Sequence, residues 1–92
     1  MMPAEPRLKQ AARLLGVEVV DAASARAAFA QDPGRLAAGL VDEAAASDDV
    51  TSAATALDYL ETRLAYLGDL IDAATGTAVR ERFTEAVRGW DA

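Results

Sequence analysis

The sequence holds no cysteine and no histidine, one lysine and one tryptophan. Without cysteine there is neither a disulfide scaffold nor a thiolate metal site. Without histidine the commonest metal ligand and the usual proton shuttle near neutral pH are missing. Long hydrophobic runs are missing too. The longest uncharged stretch is Val50 to Leu57, far short of the roughly 20 apolar residues of a membrane-spanning helix. The opening Met1-Met2-Pro3-Ala4-Glu5-Pro6 carries no apolar signal region, so the expected location is cytoplasmic, with no membrane partner.

Several chemistries fall with these absences. No glycine-rich phosphate loop is present, and Ser24, Ser47 and Ser52 sit in no nucleophile-elbow motif and have no histidine base. There is no Asp-x-Asp-x-Asp-Gly calcium loop, and the Glu-x-x-His motifs of four-helix carboxylate metal sites cannot be built. No catalytic residue, metal or cofactor is expected, and an enzyme of unknown type ranks behind two non-catalytic readings.

What is present is alanine and acid. Of the 92 residues 23 are alanine, and 15 acidic against 9 basic residues give a net charge of −6. Alanine with eight arginines and one lysine is a composition that GC-rich bacterial genomes produce. The acid is concentrated: residues 36–72 carry one basic and eight acidic side chains. Large apolar side chains number 25. A core that lean predicts a partner, because small helical domains gain missing burial by oligomerising. The length fits a single domain, 1–92.

Helix punctuation predicts an all-α bundle of four to five helices. Pro6 and Gly16 bracket a first helix over about Arg7–Leu15. Asp21 caps a second over Ala22–Ala30, and Asp32-Pro33 opens a third that runs to about Ala46. Leu36, Ala37, Leu40, Val41 and Ala44 form the third helix's apolar stripe, with Arg35, Asp42 and Glu43 outside it. The only β-branched cluster, Val17-Glu18-Val19-Val20, is too short to build a sheet.

A long central helix is predicted over about 49–74, capped by Ser47 or Asp48, with Gly68-Asp69 as its expected break point. In heptad register its a and d positions are Val50, Ala53, Leu57, Leu60, Leu64, Leu67, Ile71 and Ala74, all apolar, with Tyr59 and Tyr66 broadening the face. Thr75-Gly76-Thr77 reads as a turn into a last helix whose face holds Val79, Phe83, Ala86, Val87 and Trp90, making a C-terminal helical hairpin. Trp90 is expected near Leu67, Leu70 or Ile71. Asp58, Glu61, Asp69 and Asp72 form an acidic ridge beside the leucine seam.

One segment resembles a known unit. Leu8-Lys9-Gln10-Ala11-Ala12-Arg13-Leu14-Leu15-Gly16-Val17 is similar to the first helix and turn of helix-turn-helix DNA-binding units, which share an Ala-Ala-x-Leu-Leu-Gly-Val run. The resemblance implies a DNA-binding regulator using residues 8–30, with Asp21–Ala30 as recognition helix. That helix departs from the pattern, offering only Ser24 and Arg26 to bases or phosphates.

The preferred functional reading is a non-catalytic helical adaptor, regulatory or assembly protein that acts through helix–helix contacts. The expected partner is a second copy or another protein, and nucleic acid is not expected. The candidate partner-binding residues are Leu57, Leu60, Leu64, Leu67, Ile71 and Trp90, with Asp58, Glu61, Asp69 and Asp72.

Overall fold

Each helix begins where the sequence supplies an acceptor for the unpaired N–H groups of a first turn, or a proline that needs none. The computed structural model describes residues 5–90, and among these the chain is helical with no strand. Helix α1 (Pro6–Leu15) opens on Pro6 and closes on Gly16, whose positive φ of 70° lets its N–H reach the Ala12 carbonyl. Helix α2 (Ala22–Gln31) is capped by the Asp21 carboxylate, which accepts from Ser24 N at 2.7 Å. Helix α3 (Pro33–Ala45) is capped by Asp32, which accepts from Arg35 N at 3.1 Å. The expectation about Met1-Met2-Pro3-Ala4 lies outside the described residues.

The long helix is present but shorter than 49–74. Helix α4 spans Ala53–Leu67 and runs into a 3-10 turn, Gly68–Leu70. Its cap is Ser52, not Ser47 or Asp48. Ser52 Oγ accepts from Thr55 N at 3.2 Å, and Thr55 Oγ1 accepts from Ser52 N at 2.9 Å. This reciprocal box satisfies two donors at once. It also takes Thr51 N at 2.9 Å, which ties down the β-branched residues just before the helix. Ser47 instead folds the preceding loop, its Oγ accepting from Asp49 N at 3.3 Å.

The break falls at Gly68 as expected. Its φ of 52° and ψ of −119° suit a residue without Cβ. The cap of the next helix is Asp72, at the far end of the turn. Asp72 accepts from Thr75 N at 2.7 Å and opens helix α5 (Ala73–Val87). Gly76, expected as a turn, is therefore a buried residue inside α5. The C-terminal hairpin stands, with its turn moved to Gly68–Asp72.

The hydrophobic centre explains the alanines. Helix α3 lies in the middle, packed most extensively along α5 and also touching α1, α2 and α4. Ala11, Ala25, Ala37, Ala44 and Ala56 are buried at helix contacts. Small side chains let helix axes approach, so Phe29, Leu36, Leu40, Leu60, Leu67, Leu70, Val79, Phe83 and Val87 fill the remaining space almost completely shielded from solvent. Of the expected seam, Leu60, Leu64 and Leu67 are buried, Val50, Ala53, Leu57 and Ile71 are half-buried, and Ala74 is exposed. The molecule measures 48 × 26 × 20 Å.

Two arginines fasten the first helices to the hairpin turn. Arg7 donates to the Leu67 carbonyl at 3.3 Å and to Asp69 at 2.7 Å, and it also pairs with Glu5. Arg26 Nε donates to the Asp69 carbonyl at 2.8 Å. Both cations thereby meet carbonyls at the C-terminal end of α4, where the helix dipole is negative.

Candidate interaction surfaces

The ten residues singled out from the sequence do not form one surface. Leu60, Leu64 and Leu67 face inward and serve the chain's own core. Leu57 and Ile71 cover its edge. The acidic ridge is divided among other tasks. Glu61 forms a two-bond ion pair with Arg80 at 2.8 and 3.0 Å, and this donor holds its carboxyl below the usual range. Asp69 is held low by Arg7, and Asp72 by the Thr75 donors of its cap. Only Asp58 stays exposed without an ion pair or hydrogen bond from its side chain to the described residues.

Trp90 packs elsewhere than expected. The hairpin is antiparallel, so the end of α5 meets the beginning of α4. Trp90 is half-buried beside Ala45, Val50, Thr51 and Ser52, not beside Leu67, Leu70 or Ile71. These residues line an open hollow of about 250 Å³. A second hollow of about 300 Å³ adjoins it across Val50, lined by Asp49, Thr55, Asp58, Tyr59 and Thr62. The loop that carries Val50 is held by the Ser47 and Thr55 bonds described above. The Trp90 indole N–H meets no acceptor among the described residues, nor do the Asp48, Asp49 and Asp58 carboxylates meet a donor there. Tyr59 donates to Glu43 at 3.1 Å, and Arg63 lies over the Tyr59 ring at 5.4 Å.

The outer side of α3 is a second surface. Arg35, Ala38, Asp42 and Ala45 are exposed in one row, spaced three and four residues apart, with half-buried Gly39 beside them. Shallow hollows flank the row. One, of about 390 Å³, is shared with Arg13 and Leu14 of α1, and the other, of about 280 Å³, with Arg82 and Ala86 of α5. The Arg35 and Asp42 side chains make no ion pair or hydrogen bond within the described residues. The sequence carried the signal for this face, since Arg35 and Asp42 fall outside the α3 apolar stripe. Their spacing of seven residues, two helical turns, puts them on the same side of the helix.

The stretch that resembles a helix-turn-helix unit is shaped differently. Six residues, Gly16–Asp21, separate α1 from α2, against the three or four of a tight helix-turn-helix turn. Val17 and Val20 in that link are 55% and 74% exposed, the most exposed large apolar side chains among the described residues. On α2, Ser24 Oγ bonds to Asp21 and Arg26 to the Asp69 carbonyl, which leaves mostly alanine on the outer side.

Among the described residues no group of acidic side chains is arranged to hold a metal ion, and no helix is long and apolar enough to cross a membrane. Comparison of the chain with protein-family models, with curated proteins and with solved structures gives no match.

Proposed function

We propose that the chain is a non-catalytic helical assembly module whose α3 outer face binds the same face of a second copy. The observation behind this reading is the charge order along that face. In an antiparallel pair related by a two-fold axis between Ala38 and Gly39, Arg35 of each copy lies opposite Asp42 of the other. Closed two-fold interfaces require this kind of self-complementarity. Ala38, small and exposed at the crossing, leaves room for close approach of the two helices. A standard interface takes about 800 Å² from each partner, so the flanks supplied by α1 and α5 join α3 in the contact. The leucine seam is occupied within the chain, whereas the row on the outer side of α3 is left uncovered.

Sedimentation over a range of concentrations tests this. The reading predicts a species of twice 9.6 kDa at micromolar concentration and a monomer for Ala38→Glu, which brings two carboxylates together at the axis. Ala38 is exposed, so the variant keeps its fold, as its circular dichroism will show. A wild-type monomer at high concentration removes the proposal. A dimer indifferent to Ala38→Glu moves the interface elsewhere.

A further inference from the structure

The two hollows that meet at Val50 lie at the opposite end of the α4–α5 hairpin from the Gly68 turn, and of the α3 row they include only Ala45. Their floor is apolar and aromatic: Val50 with Trp90 on one side and Tyr59 on the other. Their rim is acidic. Asp49 and Asp58 line the second hollow, and Asp48 is exposed beside Asp49 on the same loop. The nearby cations are already committed: Arg63 to Tyr59 and Glu43, and Arg88 to Glu85 at 2.8 Å. Among the described residues, negative charge therefore borders the second hollow, whose lining holds no cation.

We infer that this recess docks a basic, apolar-flanked peptide segment of another protein, an arginine or lysine side chain lying across Val50. The aliphatic stem of such a side chain buries against Val50 and the Trp90 ring while its cationic head remains at the wet rim. The ring face attracts the cation, and Asp49 and Asp58 supply its counter-charges. The indole N–H, which meets no acceptor among the described residues, has a backbone carbonyl of the bound segment as a fitting acceptor. Tryptophan is enriched among the residues that anchor protein interfaces. The loop's hydrogen bonds hold the floor in place before binding, which lowers the ordering cost. This docking site goes beyond the self-association proposed above and does not depend on it.

The probe is a synthetic peptide of about twelve residues, alternating arginine pairs with leucine and free of tryptophan. Trp90 is the only tryptophan of the chain, so its emission reports this place alone. Titration should shift that emission to the blue and saturate. Labelled-peptide anisotropy should show roughly tenfold weaker binding to the Asp49→Asn/Asp58→Asn variant, the scale expected for lost charge contacts at a partly dry site. Removing the same number of charges far away, in Glu18→Gln/Glu81→Gln, should leave affinity unchanged. Equal loss in both double variants would reduce the effect to net charge and overturn the proposal. Binding that leaves Trp90 emission unmoved would overturn it as well, as would equal affinity for a peptide with glutamate in place of arginine. Sedimentation of the same variants separates this result from the dimer: the Asn double variant should self-associate like wild type.

Discussion

Individual side chains divide cleanly into those that fill space and those that hold charge in place. Leu60 is 1% exposed in the middle of α4. Leu60→Ala should cost about 2–5 kcal/mol, because the surrounding helices close only part of the cavity. Leu57→Ala, at the edge of the core, should cost clearly less. Chemical denaturation of both variants checks the order, and equal losses would place Leu57 in the core too. The carboxylates give a pH signature. Asp21, Glu61, Asp69 and Asp72 are all held below their ordinary values by hydrogen-bond donors. A carboxylate with a lowered folded-state pKa contributes stability that is complete above its unfolded value and disappears as pH falls through the folded one. Below the isoelectric point near 4.4, growing positive charge acts in the same direction. The melting temperature should therefore fall steadily as pH is lowered below the ordinary carboxylate range, where these groups take up protons. A rise over that range would show that the four carboxylates do not favour the folded state.

At the scale of elements, the first half of the chain was legible and the second only in part. Proline at a first helical position, aspartate before it and glycine after the end are local signals, and for α1, α2 and α3 local signals sufficed. The α4–α5 hairpin contains too many of them. Ser47, Asp48 and Ser52 all offer a cap, and the reciprocal Ser52–Thr55 bonding that selects among them shows only in three dimensions. Gly68 and Gly76 both offer a stop; Gly76 stays helical because Asp72 has already begun α5 four residues earlier. Heptad spacing identified the buried leucines but not their partner, since an inward-facing seam and a dimer seam have the same period. Ser52→Ala should lower stability by about 1 kcal/mol, the usual cost of losing a cap, while Ser47→Ala should change it by less than half as much. If the order is reversed, α4 begins earlier than described.

At the scale of the whole molecule, the proposal of a protein rather than a nucleic-acid partner rests on charge and on the surface of α2. Net charge is −6, Arg7 and Arg26 are engaged at the hairpin turn, and α2 presents alanine where a recognition helix presents arginine or asparagine. Binding to duplex DNA should be undetectable at micromolar protein and physiological salt. Salt-sensitive binding weakened by Arg13→Ala would instead favour a regulator built on α1 and α2.

The α3 face stands at the centre of this account, and charge reversal tests it most directly. In the antiparallel pair, Arg35→Asp alone sets two like charges against each other on both sides of the axis, and so does Asp42→Arg. Combined in one chain, the two substitutions restore opposite charges throughout. Sedimentation should show the dimer weakened in each single variant and recovered in the double variant, with unchanged helix content in all three. Single variants that dimerise like wild type, or a double variant as weak as either single one, would contradict the α3 interface.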